Sequence, residues 1–329
     1  MKKICLFDSK PYDKIYFEKY KDEYGFEFEY FETKLRPQTA VLARGFDAAV
    51  AFVNDEVGRD TINRLFENNI RILAMRCAGY NNVDVAAAKD KIRLVRVPNY
   101  SPYAVAEHTM AILLTLVRKT NKAYIRTREY NFSLNGLMGF VLHGKTVGVV
   151  GTGKIGSVFL DICKGFGMEV CAYDMYPSRK DVEYLSFEEL CRRSDIISLH
   201  CPLTSETKHM INNKTIDLMK DGVYILNTSR GALIDSEDLV EAIKSEKIGG
   251  AALDVYEEES EFFYEDKSAT IIQDDTLARL ITMPNVLVTS HQAFLTREAL
   301  REIAHTTCEN LKEFFEGREL KNEIAASKS

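Results

Sequence analysis

Three ionisable residues, far apart along the chain, occupy one kind of position. Arg230 follows the apolar run Val223–Leu226, Glu259 comes shortly after a run that ends near Asp254, and His291 follows Val286–Val288. If these runs are strands of an open α/β sheet, ligands bind outside their carboxyl ends, at the switch point of the topology. A cation, a carboxylate and an imidazole would then meet on one rim. That set suits hydride transfer to a ketone bearing a carboxylate. Arg230 would clamp the carboxylate and polarise the carbonyl through its planar fork of donors. His291 would donate a proton to the oxygen, and Glu259 would hold the ring and favour its charged form. Each residue has a plainer alternative. Glu257-Glu258-Glu259 reads as a solvated acidic run, Arg230 as a surface residue, and His291 as a helix-entry residue. Their shared position favours chemistry.

Hydride chemistry needs a carrier, and the sequence supplies a place for one. Residues 146–156 read Thr-Val-Gly-Val-Val-Gly-Thr-Gly-Lys-Ile-Gly. The β-branched run Val147–Val150 suits a buried strand. After the glycines, Ile155, Phe159, Ile162, Cys163 and Phe166 recur at helical spacing until Gly167. A second strand-like run, Met168–Tyr173, delivers Asp174 about 20 residues beyond the turn, the spacing of a dinucleotide-binding unit. Gly151 would make the tight turn, Gly153 would admit a pyrophosphate, and Gly156 would allow close helix–strand packing. The helix N-terminus offers free N–H groups to the phosphates. Asp174 would accept from the ribose hydroxyls and repel a 2′-phosphate, which favours NAD over NADP. Arg179 and Lys180 follow closely and could soften that preference.

The elements around these residues alternate in type. In the first hundred residues Ile4–Phe7, Phe26–Phe31, Ala48–Val53, Arg71–Met75 and Leu94–Val97 read as strands, with amphipathic stretches such as Thr61–Phe66 between them. This is an α/β unit with a parallel sheet and no glycine-rich phosphate turn. After Pro98 and Pro102 comes a long helix with Ala104, Val105, Met110, Leu113, Leu114 and Val117 as core candidates. A second α/β unit starts at Lys145, with Ile196–Leu199 among its later strands. A last helix over Thr296–Phe315 places Leu300, Ile303, Ala304, Cys308, Leu311 and Phe315 on one face, and covers either domain.

At 329 residues the chain has room for two domains with separate cores. A formal net charge of -6 argues against a nucleic-acid surface; Lys2-Lys3 and Arg192-Arg193 read as solvated faces. Seven scattered cysteines, without metal-ligand spacing, fit a reducing cytoplasm. The stretch Met110–Val117 is far below a membrane span, and the N-terminal run Ile4–Phe7 is too short for a signal peptide. His200 ends a strand, with Cys201-Pro202 turning beside the cofactor. His108 and His305 read as structural residues on helical faces. His143 and His209 carry no signal.

On these residues the chain resembles the D-isomer-specific 2-hydroxyacid dehydrogenases. The resemblance runs over nearly the whole length. It is carried by Arg76-Cys77-Ala78-Gly79-Tyr80-Asn81-Asn82-Val83-Asp84, Val149–Gly156, Asn227-Thr228-Ser229-Arg230-Gly231 and His291-Gln292-Ala293-Phe294. It implies a Rossmann-type cofactor domain over 101–298. A smaller flavodoxin-like substrate domain would comprise 1–100, completed by 299–329, with the crossings near 100 and 298 as a hinge. The family's catalytic arginine, glutamate and histidine match Arg230, Glu259 and His291. Ala78 and Gly79 match a second grip on the substrate carboxylate through their N–H groups, and Tyr100 and Phe294 match pocket residues. Lys154, Ile155, Asp174, Cys201, Pro202, Thr207, Thr228, Ser229, Arg230 and Asp254 fall at the family's NAD positions.

The segment Glu261–Asp275, with a helix expected over Thr276–Ile281, is similar to the lactate branch of the family. Phe52 falls where that branch shortens the pocket with a bulky side chain. The resemblance therefore implies NADH-dependent reduction of pyruvate to D-lactate by a cytoplasmic homodimer or homotetramer, with no metal, nucleic acid or membrane. The alternatives are a longer D-2-hydroxy acid as substrate, or an NADH-sensing, co-repressor-like binding protein. The short Ala325–Ser329 tail offers little for a docking partner.

Overall fold

A computed structural model describes residues 1–259 and 262–324; Glu261 and the Ala325–Ser329 tail lie outside the described residues. The chain divides into two compact units, Met1–Ser101 with Leu295–Ser329, and Pro102–Phe294.

The first unit is built on five parallel strands: β1 (Lys2–Leu6), β2 (Phe26–Tyr30), β3 (Ala48–Ala51), β4 (Ile72–Met75) and β5 (Arg93–Arg96), in the order β2-β1-β3-β4-β5. This is the flavodoxin-type order. Every residue of β3 and β4 is buried, because strands covered on both faces need continuous apolar runs. The helix Arg59–Glu67 turns Thr61, Ile62 and Leu65 inward. The helix Arg297–Phe315 packs Ala304, Cys308 and Leu311 into this unit's core, which answers where the last helix belongs. Thr296 caps it by accepting the Ala299 N–H at 3.2 Å.

Strand β3 stops short of the expected Val53 for a local reason. The N–H of Phe52 leaves the ladder and donates to Asp55 Oδ2 at 2.5 Å, so the chain turns at Phe52 rather than running on.

The second unit carries seven strands: β6 (Thr146–Val150), β7 (Glu169–Tyr173), β8 (Glu183–Tyr184), β9 (Ile196–Leu199), β10 (Val223–Asn227), β11 (Ile248–Leu253) and β12 (Val286–Val288). Their order is β12-β11-β10-β9-β6-β7-β8, all parallel. The direction of winding reverses between β6 and β9, so the switch point lies at the carboxyl end of β6. The helix Pro102–Arg118 buries Ala106, Thr109, Met110, Ile112, Leu113, Leu116 and Val117; Leu114, an expected core residue, is only partly covered. The helix expected over Thr276–Ile281 spans Asp275–Thr282, capped by Asp274 accepting the Leu277 N–H at 2.8 Å. Among the described residues, no helix is long and apolar enough to cross a membrane.

Candidate active site

At the switch point, the turn after β6 leads into the helix Lys154–Gly165. Gly151 adopts a φ of +92°, a conformation that side chains resist. A Cβ at Gly156 would sit 2.0 Å from the Gly151 carbonyl oxygen, whereas the space beside Gly153 is open. Gly156 therefore permits the packing, and Gly153 leaves room for a ligand against the helix N-terminus, which no side chain caps. Asp174, after β7, faces the same turn. Its Oδ2 accepts from the Thr152 N–H at 2.6 Å and Oγ1 at 2.9 Å, and its Oδ1 accepts the Tyr176 N–H at 2.8 Å. Arg179 is committed elsewhere: its Nη2 lies 2.6 Å from both Asp161 and Asp181, and Nη1 donates to the Ser157 carbonyl at 2.8 Å. An open phosphate turn with an acid beside it fits a dinucleotide with free ribose hydroxyls.

Along the rim, Ser229 Oγ donates to the Cys201 carbonyl at 2.7 Å, and Thr207 Oγ1 donates to the Pro202 carbonyl at 2.7 Å. Thr228 is buried, its hydroxyl 2.8 Å from that of Thr109. The sheet thus ties the turns after β9 and β10 together. His200 sits beneath them, its Nε2 2.8 Å from Ser198 Oγ and its ring against Phe159. Burial pushes its imidazole down to about 3. The folded chain therefore keeps it neutral, while the unfolded chain protonates it below its ordinary value of 6.5. This contribution to stability is complete above that value and is lost as pH falls towards the folded value. Urea midpoints should drop on acidification from about pH 7 to about pH 5, and His200→Asn should flatten that slope; an unchanged slope would contradict the burial effect.

The ends of β10, β11 and β12 are neighbours, and each delivers one of the three ionisable residues. Arg230 is half-buried; its Nη1 donates to the Ser229 carbonyl at 2.7 Å, and Asn227 Nδ2 fixes its own carbonyl at 2.9 Å. Next to it, Gly231 lies against the backbone of Tyr256: an added Cβ would come within 2.0 Å of that residue's carbonyl carbon. The turn bearing Arg230 and the loop leading to Glu259 therefore pack main chain to main chain. Glu259 leaves the acidic run and turns inward. Its Oε2 accepts the Tyr256 N–H at 3.0 Å, and its Oε1 lies 2.7 Å from His291 Nδ1. The two side chains are 14% and 16% exposed for His291 and Glu259, so the pair is sheltered yet open to a small molecule. A carboxylate on Nδ1 fixes the tautomer and leaves Nε2 as the atom that exchanges a proton with a substrate.

His291 is held in the left-handed region, at a φ of 51°. Asp254 enforces that conformation. Its carbonyl accepts the His291 N–H at 2.7 Å, and its carboxylate accepts the Gln292 and Ala293 N–H groups at 3.0 and 2.9 Å. Burial alone would raise the Asp254 carboxyl, but bonds from His108 and Thr289 outweigh it and hold the group below the usual carboxylate range.

Several partners had no signal in the sequence. His108, expected to be merely structural, lies 3.2 Å from Asp254 Oδ1. Tyr264 Oη donates to the His291 carbonyl at 3.0 Å and packs its ring near Phe294. His209 binds Glu257 at 2.6 Å, so two of the three consecutive glutamates pair with histidines and only Glu258 stays solvated. Such pairings join residues that are distant in sequence, and no spacing rule reports them.

Residues 110–293 match the family model described as D-isomer specific 2-hydroxyacid dehydrogenase, NAD binding domain. The chain is 49% identical to D-lactate dehydrogenase of Escherichia coli (strain K12) over 98% of its own length and 99% of that protein's. The chain belongs to the D-isomer specific 2-hydroxyacid dehydrogenases. Its cofactor is accordingly NAD, bound by the second unit. The fold agrees. The apo-structure of D-lactate dehydrogenase from Escherichia coli superposes with a TM-score of 0.90 at 47% identity, covering 98% of this chain and 100% of that one. The structure of the pyruvate reductase of Chlamydomonas reinhardtii gives 0.93 at 41% identity, covering 98% of each chain.

Proposed function

We propose that this chain catalyses the NAD-dependent interconversion of pyruvate and D-lactate. The observation that carries the reading is the 2.7 Å contact between Glu259 and His291, at the ends of two neighbouring strands of the NAD-binding unit. A carboxylate-oriented imidazole is a proton donor of defined direction. The named activities of the Escherichia coli and Chlamydomonas relatives point to the same substrate pair.

When bound, NADH supplies a hydride to the carbonyl carbon of the 2-oxo acid. The residues here supply charge, position and the proton. His291 passes a proton from Nε2 to the carbonyl oxygen, and in the reverse direction takes it from the hydroxyl. Glu259 keeps the imidazole oriented. Arg230 pairs with the substrate carboxylate and draws electron density from the carbonyl. By the resemblance, the Ala78 and Gly79 N–H groups, Tyr100 and Phe294 would also contact the substrate. For the cofactor, Gly151, Gly153, Lys154, Ile155 and Gly156 hold the pyrophosphate, and Asp174 takes the ribose. Cys201, Pro202, Thr207, Thr228, Ser229, Arg230 and Asp254 would hold the rest of the cofactor.

The purified chain should oxidise NADH with pyruvate and reduce NAD with D-lactate but not L-lactate. Turnover of L-lactate alone overturns the reading.

A second copy of this chain is the partner that the surface supports. Tyr130, Phe132, Leu134, Met138 and Val141 are all exposed within one short segment, and large exposed apolar side chains gathered so closely in sequence favour an interface. Light scattering should give a dimer or tetramer, and a monomeric mass would remove this part. Six of the seven free thiols are buried, which supports a reducing, cytoplasmic setting.

A further inference from the structure

His209 takes no part in the reaction proposed above, yet it touches both of the segments that bear Arg230 and Glu259. It lies in the left-handed region at a φ of 52°, where a residue with a side chain is strained. Two bonds to its main chain hold it there. Its N–H donates to the Ala232 carbonyl at 2.8 Å, and its carbonyl accepts from Asn212 Nδ2 at 2.7 Å. The Ile211 N–H then donates to the Leu233 carbonyl at 3.1 Å, and the Asp235 N–H to the Ile211 carbonyl at 2.9 Å. Residues 209–211 are therefore laid along the stretch 232–235 that leads away from Arg230.

The side chain crosses to the other segment. Nε2 lies 2.6 Å from Glu257 Oε1, and Nδ1 faces Asp235 Oδ2 at 3.5 Å. Both ends of this link are themselves fixed. Asp235 caps the helix Ser236–Lys244, its Oδ1 accepting the Asp238 N–H at 3.1 Å. Glu257 sits in the loop where the Tyr256 N–H binds Glu259 Oε2 at 3.0 Å. Its backbone nitrogen also abuts Gly231, 2.4 Å from where a Cβ would be. That contact is steric: it stops the two segments from moving closer but does not hold them together. The imidazole does. The His209 and Glu257 side chains are 33% and 22% exposed, and ion pairs so open to water contribute little to folding. A strained residue spent on such a bond points to function rather than stability.

We infer that His209 is a positioning residue that clasps the arginine turn to the glutamate loop, and so fixes Arg230 relative to the Glu259–His291 pair. This rests on the function proposed above. A bound 2-oxo acid in its ground state needs only the guanidinium, whereas the transition state needs guanidinium and imidazole together. Loosening the clasp therefore falls on kcat more than on KM. A displacement of about 1 Å can cost as much as about 100-fold in rate.

The test compares His209→Asn with His209→Gln in steady-state NADH oxidation. Wild-type turnover of pyruvate reports on the underlying function; the variants, measured on whichever 2-oxo acid the wild type reduces, report on the inference. Asparagine suits the left-handed backbone but is too short to reach Glu257, whereas glutamine suits that backbone less and carries its amide about as far as Nε2. In His209→Asn, kcat should fall about tenfold, with KM for the 2-oxo acid within about threefold of wild type. His209→Gln should recover most of that loss. A purely structural role gives the reverse order, with asparagine the better replacement. Glu257→Ala should match His209→Asn, and the double variant should lose no more than either alone, since both break one bond. If His209→Asn does not fold, Glu257→Ala stands in for it. Glutamine no better than asparagine, effects of His209→Asn and Glu257→Ala that multiply, or a loss confined to KM for NADH, overturn the inference.

Discussion

Replacing His291 with alanine should lower kcat for pyruvate reduction by about two orders of magnitude or more, the usual cost of a lost general acid. KM should change far less, because the carboxylate contacts remain. The position is unusual, since His291 holds a left-handed φ of 51°, where alanine is strained by about 1–2 kcal/mol. His291→Asn separates the two effects, because asparagine adopts that conformation readily. Steady-state NADH oxidation at neutral pH should find both variants slow. Recovery in the asparagine variant would assign the loss to backbone geometry instead of the proton, and near-normal rates in both would remove His291 from its role.

Arg230→Lys should cost the second-largest share, about one to two orders of magnitude in kcat/KM for pyruvate. Lysine keeps the charge but cannot present two parallel donors to a carboxylate. Both parameters should move: KM because the carboxylate is held in the ground state, and kcat because the carbonyl is polarised as the reaction proceeds. A variant whose kcat/KM stays within a few-fold of wild type would show that the guanidinium, which contacts the Ser229 carbonyl at 2.7 Å, does not turn to substrate.

Much of this architecture was legible in the sequence because the signals are local. Runs such as Val147–Val150 and Ile196–Leu199 are bounded and apolar, and a buried parallel strand needs nothing more. The turn at Gly151–Gly156 with Asp174 one strand later is likewise a local pattern. What escaped depends on contacts between distant residues, or is too short to show a period. Strand β8 is two residues long, and the helix Thr120–Arg128 buries nothing, so neither has an apolar stripe to detect. The end of β3 was overrun because Asp55 competes for a backbone N–H. The candidate site divides the same way. Glu259 and His291 could be placed by the strands that precede them, but the grip of Asp254 on the His291 loop, and of His209 on Glu257, exists only once the sheet has formed.

The close backbone approach at Gly231 has a consequence for how this chain could be adapted. Because the turn carrying the arginine rests on the loop carrying the acid without an intervening side chain, neither can lengthen or tilt independently. Even a methyl group there would act as a wedge. Insertions at 228–231 or 255–259 are therefore expected to be selected against together, because each would part the two segments.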